Sequence, residues 1–263
     1  MPTNLAYLLG VTLIIHVIDT LAYAVRLNSV KSGRFALSVT LFNLFYLISL
    51  LAHTLQSPLI GSLIDSSLSL SLDPLPQLRQ IIVAATVGTL LGIALTPTFL
   101  QYFSRAVLKL ERVGSVPSIV VEALKIRNLR GLLLHLTIPN KNMVSCLSFW
   151  KVPKELLALN ALVTGIYTIG GMAAYYAATL VTADHRLTAA ASAGIFNTLA
   201  NIVFMLFIDP KSSIITDQAL RGNRSYADVK ALVIILMSAK LLGTLLGQLL
   251  LLPLARAIAA FYG

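Results

Sequence analysis

The amino-acid sequence predicts an all-α membrane protein that crosses the bilayer with about six helices. Of its 263 residues, 57% are hydrophobic and only 11% are charged, whereas about a quarter of the residues in a soluble domain are charged. The apolar residues fall into blocks of about 20, the length that crosses a hydrocarbon core ~30 Å thick. Inside lipid each backbone polar group must be bonded within its own segment, so helices are expected. The whole chain, residues 1–263, is therefore predicted to be a single transmembrane domain.

The predicted helices follow the apolar blocks in order along the chain. We expect them at about residues 5–26, 35–57, 79–104, 156–181, 187–208 and 229–255. The longest connection is a basic loop at 105–155, between the third and fourth helices.

The distribution of Lys and Arg predicts how these helices are oriented. All 20 of these residues except Arg79, Arg186, Arg256 and Lys240 lie in or beside the first, third and fifth loops. Positively charged loops remain in the cytoplasm, so both termini are predicted to face outward (N-out/C-out). The net charge of +10 is then mainly a signal of topology, and no nucleic-acid partner is predicted.

One pentapeptide occurs twice. Gly-Thr-Leu-Leu-Gly fills residues 88–92 of the third predicted helix and residues 243–247 of the sixth. Small residues four apart favour close helix packing. Alternatively, the two copies mark an inverted repeat of three helices, as in many transporters. We favour the packing interpretation.

The first helix carries polar side chains that lipid would reject. His16, Asp19 and Tyr23 follow the spacing of one helical face, and a lone carboxylate at such a depth costs ~2.5–3.5 kcal/mol on insertion scales. The stripe predicts a hydrophilic cavity lined by these three residues, in which Asp19 and His16 act in proton coupling or bind substrate. A structural hydrogen-bond network between helices is the alternative.

Basic groups near this stripe predict an anionic substrate. Arg26, Lys31 and Arg34 lie at its predicted cytoplasmic mouth, and Lys240 lies deeper, paired with Asp19 or directed at an anion. Guanidinium and ammonium groups both bind phosphate oxygens. The predicted substrate-binding residues are Arg26, Lys31, Arg34, Lys240, Asn43 and His53.

Several kinds of active site have no signature in the sequence. It contains no Gly-rich phosphate loop ending in Lys-Ser/Thr and no His-Glu-x-x-His motif, and its one cysteine is Cys146. We therefore predict no cofactor, no metal site and no catalytic residue.

The first quarter of the chain resembles the Amj family, the alternate lipid II flippases of bacteria. The resemblance lies in residues 15–27 (IHVIDTLAYAVRL), 33–38, 41–43, 56–58 and 61–65. Chain length and the number of helices are also similar. Membership implies transport of the undecaprenyl-pyrophosphate-linked peptidoglycan precursor from the cytoplasmic to the outer leaflet of the bacterial cell membrane. Lipid II and membrane lipids would be the partners, with a possible homo-oligomer.

Two other functions remain open from the residues alone. A secondary transporter of a soluble organic anion would use the same charges. An intramembrane enzyme acting on a prenyl phosphate is the third possibility.

Overall fold

The structure, a computed structural model, describes residues 2–115, 118, 137, 139, 147 and 149–263. Its longer elements are eight α-helices: α1 (Pro2–Ser32), α2 (Phe35–Ser69), α3 (Leu75–Val113), α4 (Glu155–Leu180), α5 (Arg186–Ala191), α6 (Ala193–Val203), α7 (Asp209–Leu220) and α8 (Tyr226–Tyr262). Six spans are long and apolar enough to cross a membrane, because α5 to α7 belong to one span over 183–220. The prediction of an all-α protein with six spanning helices is confirmed.

The helices are longer than their apolar blocks suggested. The second ends at Ser69 instead of about residue 57, the third at Val113 instead of 104, and the sixth covers Tyr226–Tyr262 instead of 229–255. Hydropathy marks only the part of a helix that lies in hydrocarbon, and a helix longer than the bilayer extends into the polar interface or tilts. The predicted loop at 105–155 therefore begins after Val113, and most of it lies outside the described residues.

The fifth span differs most from its predicted limits of 187–208. Residues Phe204–Ile208 form a π-helical turn, and the helix then continues through α7 to Leu220. Pro210 lies two residues after this turn, and proline has no N–H to donate to the helical hydrogen-bond ladder. Single π turns occur as bulges inside α-helices. The span therefore continues where the sequence predicted a loop.

Two helix pairs pack with their backbones in close approach, α1 with α3 and α4 with α8. A Cβ atom added at Gly88 would lie 2.5 Å from the Leu13 carbonyl oxygen, and one at Gly243 would lie 2.6 Å from that of Ala161. Both distances are far below van der Waals contact, so only glycine fits. The two copies of the pentapeptide thus serve helix packing, as favoured above.

The remaining two spans lie at the periphery. In the most apolar stretch of α2 and of the fifth span only 17% of residues are buried, against 44–61% in the other four spans. The core is therefore formed by α1, α3, α4 and α8, and α2 and α6 flank it beside α1 and α4. This arrangement leaves room for cavities between the core and its flanking helices.

Candidate functional site: a buried charge cluster and a basic cavity

A cluster of charged and polar side chains lies in the middle of the helix bundle. The Asp19 carboxylate of α1 has one oxygen 3.5 Å from the Lys240 ammonium nitrogen and 3.6 Å from Nε2 of His53. Its other oxygen accepts a hydrogen bond from the Ser49 hydroxyl. The Lys240 side chain is only 5% exposed. The amine deep in α8 therefore has its countercharge on α1, with two further polar groups on α2.

The local sequence explains how α1 and α2 meet. Ser49 and His53 are one helical turn apart, so both reach Asp19 from the same face of α2. One turn further on, Gln56 donates a hydrogen bond of 2.7 Å to the Thr12 hydroxyl on α1. The polar stripes of the first two helices therefore face each other.

Tyr23 and His16 extend this cluster in opposite directions. The Tyr23 hydroxyl donates to Oδ1 of Asn160 on α4 at 3.3 Å, and the Asn160 amide in turn donates to the Leu236 carbonyl at 2.9 Å. His16 lies one turn on the other side of Asp19 and is 4% exposed. The structure thus brings together four of the predicted residues, His16, Asp19, His53 and Lys240, and ties Tyr23 to the neighbouring helix.

A lateral pocket reaches the cluster from the side of the bundle. It has a volume of about 130 Å³ and lies between α2 and α6, with Asp19, Ser49 and Lys240 in its lining. Aromatic rings make up much of its wall, namely Phe42, Phe45, Tyr46, Tyr167 and Phe204. The ion pair is therefore reachable through an aromatic opening, although it lies at the depth of the hydrocarbon.

The other predicted substrate residues lie outside this cluster. Arg26 donates to the Asp209 carboxylate at 2.6 Å, and the Arg34 side chain lies 2.8 Å from the Glu111 carboxylate. Asn43 is exposed on another face of α2, because six residues of helix before Ser49 turn it by about 240°. The remaining residue, Lys31, lies at a second site.

This second site is a basic cavity of about 940 Å³ between the ends of α1 and α3 and the start of α8. Lys31, Arg105 and Lys230 line it, one from each helix, and no carboxylate occurs among the described lining residues. Its deeper wall is apolar and includes Ile93, Leu100 and Met237. The cavity therefore combines a positive mouth, with no carboxylate among its described lining residues, and an apolar interior.

Local features of α3 shape this basic cavity. Pro97 lines it and removes one hydrogen bond from the α3 ladder. Next to it, the Thr98 hydroxyl accepts from the Thr137 backbone N–H at 2.9 Å and donates to the Thr137 carbonyl at 3.2 Å. Thr137 is thus held against α3 next to Pro97, and Pro139 of the same loop lines the cavity.

Sequence reasoning missed Arg105 and Lys230 as site residues. Both were counted only as charges that set topology. Their positions at the same predicted membrane face as Lys31 were visible in the sequence, but which three helices enclose a common space depends on tertiary packing.

The basic cavity and the charge cluster lie one above the other along the same two helices. Lys31 is twelve residues from Asp19 on α1, and Lys230 is ten residues from Lys240 on α8, which at 1.5 Å per residue separates the sites by about 15–18 Å. Among the described residues no three His, Cys, Asp or Glu side chains are grouped so that they could hold a metal ion. The geometry suits the binding of an anion at one end and charge exchange at mid-depth.

Comparison with known proteins identifies the family. The model of the Amj family, described as "Alternate to MurJ", matches residues 11–262. The Lipid II flippase Amj of Bacillus subtilis (strain 168) is 35% identical over 259 residues, which cover 98% of this chain and 96% of that protein. No solved structure gives a significant match. Matches over nearly the full length of both chains show that this protein belongs to the Amj family.

Proposed function

We propose that this protein is a lipid II flippase of the bacterial cell membrane. It moves the undecaprenyl-pyrophosphate-linked peptidoglycan precursor from the cytoplasmic to the outer leaflet and so supplies cell-wall synthesis. Family membership and the name of the Bacillus subtilis relative support this function. The observation that carries it in this chain is the basic cavity of about 940 Å³, with Lys31, Arg105 and Lys230 at its mouth.

The chemistry of the basic cavity suits a lipid-linked pyrophosphate. Arg105 can bind two phosphate oxygens at once, while Lys31 and Lys230 act as point charges. The apolar residues behind them, such as Ile93 and Met237, suit the hydrocarbon chain attached to the pyrophosphate. The volume lies within the range of about 300–1,000 Å³ that is typical of ligand sites.

The other predicted substrate-binding residues would contact the lipid after it leaves the basic cavity. Arg26 and Arg34 would bind substrate only in a state in which Asp209 and Glu111 release them. Lys240 and His53 would meet the headgroup at mid-depth, next to the lateral pocket. Asn43 faces away from both sites, so its contribution would require α2 to rotate.

The proposal describes binding, movement and release without bond cleavage. None of the described groups forms a nucleophile activated by a neighbouring base in the basic cavity. Instead, three cations there meet an anion, and the lipid chain can leave sideways into the bilayer. Transport therefore fits the arrangement better than catalysis.

Complementation tests the function. The chain is expressed in a bacterium depleted of its own lipid II flippases, and growth and outer-leaflet lipid II are followed. We expect the wild type to restore both, and the triple variant Lys31→Gln/Arg105→Gln/Lys230→Gln to lose most of this activity. Each charge-assisted hydrogen bond contributes about 1.5–3 kcal/mol. The control is Arg79→Gln/Arg186→Gln/Arg256→Gln, which removes three exposed cations at the opposite helix ends.

The outcomes separate the rival functions. If the wild-type protein is present in the membrane but restores neither growth nor outer-leaflet lipid II, the proposed flippase function is wrong. Uptake of a soluble organic anion into vesicles without lipid substrate would favour a secondary transporter. Formation of a new product from a prenyl phosphate in detergent would favour an enzyme.

A further inference from the structure

A small internal cavity adjoins the charge cluster on the side away from the basic cavity. Its volume is about 30 Å³, and its lining includes His16, His53, Gln56 and Asn197. A water molecule needs about 10–15 Å³ of such volume, so the cavity can hold about two. It lies between α1, α2, α4 and α6, towards the predicted outer face of the membrane.

Three polar atoms in residues of this cavity lack a partner. Nδ1 of His16, Nε2 of His53 and Oδ1 of Asn197 are buried and have no hydrogen-bond partner among the described residues. Buried polar atoms are ordinarily bonded to protein or to ordered water. Nε2 of His53 is the nitrogen nearest the Asp19 carboxylate, so Nδ1 of His16 and Oδ1 of Asn197 are the atoms that indicate a hydrogen-bonding species in the small cavity.

His53 connects this cavity with the ion pair. It lines the cavity, and its Nε2 stands 3.6 Å from the Asp19 carboxylate, slightly beyond hydrogen-bond distance. Asp19 in turn lies 3.5 Å from the Lys240 amine. His53 therefore lies between the small cavity and Asp19, and Asp19 lies between His53 and Lys240.

The composition of the lining favours a proton over a metal cation. Hard cations such as Ca²⁺ are typically held by several oxygen ligands that include carboxylates. The described lining offers hydroxyl and amide oxygens but no carboxylate, and it adds two imidazoles. Imidazole is the side chain that takes up and releases protons near neutral pH.

We propose that this cavity holds water and delivers protons through His53 to Asp19, so that protons are the coupling ion of the lipid transport proposed above. One ring nitrogen of His53 accepts a proton from a hydronium ion that enters the cavity from the outer side, and the other ring nitrogen releases a proton to the Asp19 carboxylate. The hydronium becomes water, His53 returns to its starting charge as the other tautomer, Asp19 becomes neutral, and the Lys240 ammonium is left without a countercharge. It can then attract the anionic headgroup towards the lateral pocket.

The groups that face Asp19 from the packed helices also include phenols. Tyr23, Tyr46, Tyr167 and Tyr175 line the small cavity or the lateral pocket. The proposed path uses His16, His53, Asp19 and Lys240. His16 lies on the cavity side, and Lys240 on the side of the lateral pocket.

The test uses the full chain in liposomes that contain lipid II and a lumenal pH dye. Both the leaflet distribution of lipid II and the lumenal pH are followed after a pH step of one unit. With one proton coupled to each lipid, the leaflet ratio should shift up to about tenfold. His53→Gln keeps a hydrogen-bonding side chain but cannot carry a proton, so the lipid II that this variant still moves should show no shift with the pH step. His185→Gln, at an exposed histidine outside the site, should behave as the wild type.

Each result decides between the two proposals. If the leaflet ratio of lipid II does not change with the pH step, or changes with a sodium gradient instead, proton coupling is wrong but the flippase function stands. His53-dependent proton movement without lipid movement supports the proton path and refutes the flippase. If neither lipid nor protons move, both proposals fail. Should His53→Gln not fold, His16→Gln tests the same path from the cavity side, with the same loss of the shift expected.

Discussion

The basic cavity and the charge cluster are built on the same two helices, but they treat charge in opposite ways. In the basic cavity Lys31 and Arg105 are exposed, and no described lining residue supplies a carboxylate. In the cluster Lys240 is 5% exposed, and Asp19 lies 3.5 Å away. One site has a volume of about 940 Å³, whereas the space beside the other measures about 130 Å³.

This difference shows what depth in the membrane requires of a charged group. Near the membrane surface a cation remains hydrated, so it is stable without a carboxylate partner and stays available to bind a ligand. In the interior the desolvation of an ion costs several kcal/mol, and a charge persists only with a countercharge and hydrogen bonds. We therefore expect the cations of the basic cavity to bind an external anion. The charge cluster should change only when one of its own charges is removed or neutralised.

The largest effect on stability should come from removing one charge of the buried Asp19–Lys240 ion pair. Lys240→Met leaves the Asp19 carboxylate without its ammonium, which should destabilise the fold by about 3–5 kcal/mol. The same substitution at Lys230, on the same helix but partly exposed, should change stability by no more than about 0.5 kcal/mol. Thermal unfolding in detergent, followed by fluorescence, measures both.

A double variant checks the cause of that loss. Asp19→Asn/Lys240→Met removes both charges, so it should recover most of the stability lost in Lys240→Met. Equal stability of Lys240→Met and the wild type would show that the ion pair does not support the fold.

A smaller effect is expected from the helix crossing that positions the cluster. Alanine at Gly88 would place its Cβ 2.5 Å from the Leu13 carbonyl oxygen and 3.0 Å from Cβ of His16. Overpacking of this kind costs about 1–3 kcal/mol. Gly10 has no atom within 4 Å of an added Cβ, so Gly10→Ala in α1 is the matched control in the same unfolding measurement. If the two variants unfold alike, the crossing does not require glycine.

The smallest effect is expected from ionic strength, which should weaken anion binding at the basic cavity but leave the buried ion pair unchanged. The screening length falls from about 10 Å at 0.1 M to about 3 Å at 1 M ionic strength. Binding of inorganic pyrophosphate to the exposed cations should therefore weaken several-fold in calorimetric titrations. The stability difference between Lys240→Met and the wild type should stay the same, because the buried pair is little screened. Salt-independent binding would place the anion away from the open cavity.

The sequence predicted the parts of this protein that depend on composition and on one helix at a time. The six spans follow from hydropathy, and the polar faces of α1 and α2 follow from helical spacing, which is why Asp19 and His53 were singled out. Lys240 was singled out as a cation within the sixth span. Helix ends were wrong where polar turns continue the helix, as at Ser69 and Leu220.

Features that depend on two or more helices were not predictable in the same way. The π turn before Asp209 arises where the span passes Pro210, although hydropathy suggested an end there. Arg105 and Lys230 became site residues only because α3 and α8 enclose one space with α1. The pairing of Asp19 with Lys240, left open by the sequence, required coordinates.

The partners of Asp19 also bear on how the chain is made. Ser49 and His53 belong to the second helix, which follows Asp19 closely during synthesis, whereas Lys240 belongs to α8 and is translated after α3 to α7. The carboxylate therefore has hydrogen-bonding neighbours before α8 leaves the ribosome. α1 and α3 can also lock together through Gly88 before α4 is translated. The first three helices can thus form a stable unit in the membrane before α8 is inserted. Insertion of α8 then supplies the Lys240 ammonium that pairs with Asp19.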